Sequence, residues 1–137
     1  MLGRIEHVAL AVSDLDAAVR HYDEVWGLQV AARERVEDQG VEEALLPVGG
    51  AALQLIAPTG PRSTVARFIA RRGEGLHHIA YEVDDIGAAL AQLKTRGVAL
   101  IDEEPRPGGR GQLIAFVHPA ANHGVLIELV QPPTETA

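Results

Sequence analysis

The sequence predicts an α+β domain made of two copies of one strand–helix–three-strand module, and three observations carry this. Ile5 to Leu15 lines up without a gap with Leu76 to Ile86, each passing from an apolar run into an acidic turn. The tails correspond as well, Ala52 to Pro58 against Leu126 to Pro132. Between them, each copy carries a helical stripe ended by glycine and then further β-favourable segments. A repeat this long is no solenoid; it implies two modules packed in one domain about a pseudo-two-fold axis. The single domain covers 1–137, with module one at about 4–58, a linker helix within about 59–75 and module two at about 76–132.

Each element follows from local chemistry. His7 to Val12 is β-favourable, and Ser13-Asp14 can cap a helix from Leu15 to Trp26 that Gly27 closes. Leu15, Ala18, Val19, Tyr22 and Trp26 recur at spacings of three and four, an apolar stripe for packing on a sheet. Strands are expected at Gln29–Glu34, Glu42–Pro47 and Ala51–Ile56. Thr59 to Arg62 is a loop, followed by a short helix at about Ser63–Arg71. In module two, Asp84-Asp85 leads into a helix from Ile86 to Arg96 ended by Gly97, with strands at Val98–Asp102, Leu113–Val117 and Val125–Val130. Pro105 to Gly111 reads as a loop; lacking the Lys and Ser/Thr of a phosphate-binding loop, it is not one.

Composition narrows the class. A chain of 137 residues that is 47% hydrophobic and 23% charged has ordinary globular usage. It contains no apolar run near the roughly 20 residues that span a bilayer, and its start lacks the pattern of a signal peptide, so a cytoplasmic protein is expected, without a membrane partner. The net charge of −7 is spread along the chain, and its richest basic stretch, Arg67 to Arg72, has aliphatic neighbours. Nucleic acid is not an expected partner. With no cysteine, disulfides, thiolate metal sites and cysteine nucleophiles are excluded, and coordination chemistry falls to His, Asp, Glu and Gln.

The repeat itself singles out His7, Gln54, His78 and Glu128, two per module at equivalent points. A nitrogen and an oxygen donor from each half make an N2O2 set suited to a divalent ion such as Co2+, Mn2+, Ni2+, Zn2+ or Mg2+. Strand alternation puts His7 on the face of Ala9 and Ala11, and His78 on the face of Ala80 and Glu82, small neighbours that leave room for a bound molecule. An isolated strand His is ordinarily just hydrogen-bonded, and a strand Gln just polar surface; recurrence in both modules argues for more. Glu128, between Ile127 and Leu129, is costly to bury without a proton or a cation. His77 faces away from His78, His21 sits on a helix, and His118 and His123 fall in or near a loop, so these are not assigned as ligands. The Arg67–Arg72 segment reads as a solvated helix face.

With these residues in place, the doubled module resembles the vicinal oxygen chelate superfamily. More narrowly, Asp14-Leu15, Gln39-Gly40-Val41-Glu42-Glu43, Ser63-Thr64-Val65-Ala66, Gly75 to Ala80, Val83-Asp84-Asp85-Ile86, His118-Pro119 and Gly124 to Leu129 resemble the methylmalonyl-CoA epimerases. The likeness runs from about Arg4 to Pro132. It implies paired βαβββ modules forming a cupped, mostly antiparallel sheet around one divalent metal, Co2+ first among the ions above. It implies His7, Gln54, His78 and Glu128 as metal ligands and Glu43 as a catalytic base, with Glu42 on the other sheet face as surface. It also implies an acyl-CoA substrate, a homodimer, and epimerisation by α-proton abstraction to a metal-stabilised enolate. Glu43 then needs a raised pKa so that it can both accept and return the proton, and Glu128 is the candidate acid/base for the second face.

Other readings share parts of the pattern. A glyoxalase I acting on a hemithioacetal uses the same ligand types. An extradiol dioxygenase needs only two His and one carboxylate, which leaves Gln54 without a purpose; a fosfomycin-modifying transferase is disfavoured alike. A metal-free small-molecule-binding protein of the same fold has no use for all four ligand types together with Glu43.

Overall fold

A computed structural model describes residues 1–134. Its strands and helices alternate as β1 (Arg4–Ala11), α1 (Leu15–Trp26), β2 (Ala32–Val36), β3 (Val41–Val48), β4 (Ala51–Pro58), α2 (Thr64–Arg72), β5 (Gly75–Glu82), α3 (Ile86–Thr95), β6 (Arg106–Pro107), β7 (Leu113–Val117) and β8 (Ile127–Gln131). The strands belong to one sheet in the order β2-β3-β4-β1-β5-β8-β7-β6. The chain divides into two compact units, one spanning His7–His77 and the other taking Met1–Glu6 with the chain from His78 on. Among the described residues no helix is long and apolar enough to cross a membrane.

In the His7–His77 unit, β3 runs antiparallel to β2 and β4, and β4 runs parallel to β1. One face of these strands presents Ala44, Leu46, Leu55 and Ala57, which pack with Leu15, Ala18, Val19 and Tyr22 of α1. The helix starts where Asp14, with extended backbone, accepts a hydrogen bond from Ala17 N, and it ends at Gly27, whose φ of 70° suits glycine. The expected stripe reaches Tyr22 but not Trp26: the last turn of α1 runs past the cluster, leaving Val25 and Trp26 exposed. The opposite face presents Ala9, Ala11, Val36, Val41 and Ile56, covered by Val65, Phe68 and Ile69 of α2. The Ser63 hydroxyl caps α2 by accepting from Ala66 N.

The second unit repeats the plan. β5 is parallel to β8, and β7 is antiparallel to β8 and β6. Asp85 caps α3 by accepting from Ala88 N, and Ile86, Ala89 and Leu90 pack on Ala115, Val117 and Leu129. The first residues of β1 complete this unit, with Gly3 N donating to Glu82 O at 2.8 Å and Arg4 Nε paired with Glu82 Oε2 at 3.1 Å.

Two expectations are corrected. Gln29–Glu34 is not a strand throughout; β2 starts at Ala32, because Leu28 and Val30 are drawn into the α1 cluster first. The strand expected at Val98–Asp102 is reduced to a bridge between Leu100 and Val117. Ile101 N and Asp102 N both turn to Phe116 O, and Asp102 Oδ2 accepts from Phe116 N, so a side chain takes over the place of a backbone ladder. The edge strand forms later, at Arg106–Pro107, inside the stretch expected to be a loop. Gly108 follows it because a Cβ there would stand 2.7 Å from Ile114 Cγ2.

Leu90→Ala removes a side chain that is 2% exposed in the α3 cluster and is expected to cost about 2–5 kcal/mol. Asp85→Ala, which removes only the cap, is expected to cost about 1 kcal/mol. Urea denaturation of both variants, read at unchanged slope, checks the ranking.

Candidate metal centre

Strand alternation decides which side chains share a sheet face in each unit. Along β1 the residues His7, Ala9 and Ala11 are buried in succession. The register sets Ala9 beside Gln54 on β4 and Leu45 of β3 on its other side, with Glu43 opposite Ile56. Glu43 and Gln54 are thus diagonal neighbours on one face, and Gln54 Nε2 donates to Glu43 Oε2 at 3.1 Å. Glu42 points to the other face, where Arg33 Nη2 donates to Glu42 Oε1 at 3.2 Å and Nη1 donates to Asp16 Oδ1 at 2.7 Å. The hydrogen bond to Asp16 is the first cause holding the Arg33 guanidinium above its ordinary pKa.

The second unit repeats this arrangement with its own residues. Ala80 of β5 lies beside Glu128 of β8, and Phe116 of β7 lies on the far side of Glu128. His78, two residues before Ala80, approaches Glu128, with Nε2 to Oε1 at 3.5 Å. The Phe116 ring meets the His78 ring edge-on at 5.5 Å between centroids, and the Arg106 guanidinium lies over the Phe116 ring at 5.6 Å. In both units the strand partner of the oxygen donor is an alanine, Ala9 for Gln54 and Ala80 for Glu128.

Among the described residues the buried polar side chains are His7 (1% exposed), Gln54 and His78 (4%), Glu128 (6%) and Glu43 (7%). Two imidazoles, two carboxylates and an amide withdrawn from water need strong partners. Two imidazole nitrogens with a carboxylate oxygen are a donor set that fits a divalent metal ion, and its hard-to-borderline character admits several ions.

The remaining histidines have other occupations. His77 stacks edge-on against Phe68 of α2 at 4.8 Å, His21 is exposed on α1 against Tyr22, and His118 accepts from Ala120 N through Nδ1 at 3.0 Å. His123 is exposed with φ 56°. Arg72 lies over the Phe68 ring at 5.7 Å, at the exposed end of α2. Sequence reading missed the Gln54–Glu43 hydrogen bond and the Phe116 ring against His78. Both follow from register, which the pairing of strands sets and the alternation of a single strand does not.

Comparison with known proteins places this geometry in a family. The family model described as Glyoxalase/Bleomycin resistance protein/Dioxygenase superfamily matches residues 6–116. The chain is 38% identical over 133 residues to the ethylmalonyl-CoA/methylmalonyl-CoA epimerase of Cereibacter sphaeroides, covering 96% of this chain and 99% of that one. A solved methylmalonyl-CoA epimerase in complex with methylmalonyl-CoA and NH4+ is 42% identical, with a TM-score of 0.92 and 96% of each chain covered. A variant of the Streptomyces coelicolor methylmalonyl-CoA epimerase in complex with 2-nitronate-propionyl-CoA is 40% identical, with a TM-score of 0.94, covering 100% of this chain and 99% of that one.

Glu42→Gln, which removes one of two acids from a partly exposed Arg33, is expected to change stability by less than about 1 kcal/mol in urea denaturation. A larger loss would mean that Glu42 is more than a surface partner.

The chain belongs to the glyoxalase/bleomycin resistance protein/dioxygenase superfamily, the vicinal oxygen chelate fold, and within it to the methylmalonyl-CoA epimerase family.

Proposed function

We propose that the chain is a metal-dependent epimerase that interconverts the (R) and (S) forms of methylmalonyl-CoA. The observation that carries this reading is that, among the described residues, the buried polar side chains are the acid, amide and imidazole groups such a reaction needs, with His78 Nε2 3.5 Å from Glu128 Oε1 in one unit and Gln54 bonded to Glu43 in the other. Gln54 is the fourth ligand in this reading. The family resemblance favours Co2+, with Mn2+, Ni2+, Zn2+ and Mg2+ also suited to the donors. It also favours an acyl-CoA substrate, a homodimer and a cytoplasmic setting.

The α-carbon of methylmalonyl-CoA lies between a thioester carbonyl and a carboxylate, and inversion requires loss of its proton from one face and delivery to the other. A bound divalent ion supplies Lewis acidity toward the oxygen on which charge develops as that proton leaves. Glu43 takes the proton on one face and returns it there on the reverse passage. Its carboxylate is withdrawn from water at 7% exposure, and the fixed strand on which it sits holds it in place. Glu128 serves the second face in this reading. Ala9 and Ala80 keep the space beside the two oxygen donors open.

Proton NMR of the metal-loaded protein with methylmalonyl-CoA in D2O tests the reading. The α-proton signal is expected to decay, and chelator to stop the decay. No exchange with either cobalt or manganese would sink the epimerase reading. Glu43→Ala is expected to keep its metal but to lose about 10²–10⁴-fold in turnover. Near-normal turnover would remove Glu43 from the mechanism. His78→Ala is expected to lose metal as well as activity, seen as a lower metal content after dialysis.

A further inference from the structure

The strand registers make the two units comparable position by position. Gln54 stands opposite Leu45, and Glu43 opposite Ile56. In the other unit Glu128 stands opposite Phe116, and Ile114 opposite Val130. The place that Glu43 holds diagonal to Gln54 is therefore held, diagonal to Glu128, by Ile114. One unit pairs an amide with a neighbouring acid; the other pairs a carboxylate with a neighbouring isoleucine.

We infer that Gln54 is a positioning residue for Glu43: its amide nitrogen fixes the carboxylate that takes the α-proton, and its carbonyl oxygen is left for the metal. This rests on the epimerase reading of Glu43. The two ends of an amide differ, and the end given to Glu43 is the donor, at 3.1 Å between two side chains that are both withdrawn from water. A glutamate at 54 would offer the metal a stronger oxygen but would set two carboxylates against each other and leave Glu43 without this donor. Where the neighbour is Ile114 there is no acid to hold, and the carboxylate of Glu128 stands at the equivalent point. The departure from symmetry at 54 thus follows the departure at 43.

Two measurements on the full chain test this. In the metal-free protein, the side-chain amide of Gln54 is expected to show a downfield, slowly exchanging proton in ¹H–¹⁵N spectra, and Glu43→Ala to return it to the position of a solvated amide. An unchanged amide signal in Glu43→Ala would overturn the inference. Gln54→Glu is expected to retain its cobalt and a KM within roughly threefold of the original while kcat falls about 10²-fold. A kcat within roughly threefold, with metal bound, would overturn the positioning role and leave the epimerase reading standing. Loss of metal from Gln54→Glu would also overturn it, since the metal set would then require the amide as a whole and a role confined to Glu43 would fail. Failure of the wild-type protein to exchange the α-proton would instead strike the epimerase reading, and the amide spectrum would still report the hydrogen bond.

Discussion

A carboxylate in the middle of an apolar strand is costly to bury unless something neutralises it or donates to it, and this constraint governs what lies around β3 and β8. Glu128 and Glu43 are each buried on a strand of small and branched neighbours. The chain answers by placing an imidazole next to Glu128 and an amide next to Glu43. Everything that positions those partners is backbone register: a slip by one residue in either pairing would turn the polar set to the opposite face and bring apolar side chains in its place. The helix clusters prevent such a slip, because α1 and α3 hold the reverse faces by their leucines, isoleucine and alanines.

Much of this was legible in the sequence, for identifiable reasons. The caps at Asp14 and Asp85 announce themselves because a short acidic side chain before an apolar stripe has little else to do. The alternation along His7, Ala9 and Ala11 and along His78 and Ala80 reads directly as one inward face. The repeat then separates His78 from His77 and gives Gln54 a counterpart. What stayed hidden depends on neighbours distant in sequence. Nothing local to Val98–Asp102 reveals that the Asp102 carboxylate will take the amide of Phe116 and end the strand. Nor does anything local to Trp26 tell that α1 outruns its sheet cluster.

Duplication and specialisation pull in opposite directions in this chain. The helix caps, the alanines beside the oxygen donors and the parallel pairing of first and last strand of each module are held in common. In the proposed epimerisation a ligand set can be symmetric because a metal ion has no handedness, whereas a proton taken from a stereocentre departs from one side. Glu43 against Ile114 is where the copies stop being interchangeable.

The strands β1 and β5 each cross from one compact unit to the other, and this constrains how the chain can be cut or assembled. A fragment ending in the 59–75 stretch would carry away Met1–Glu6, and with them the donor that closes onto Glu82. The Arg4–Glu82 contact joins positions 78 residues apart, so the later unit is finished only after a long loop has closed. The unit that takes Met1–Glu6 can complete its ordering during synthesis only after β5 has emerged, whereas the His7–His77 stretch is continuous. Although it reads as a tandem duplication, its later copy is finished by the chain's first residues.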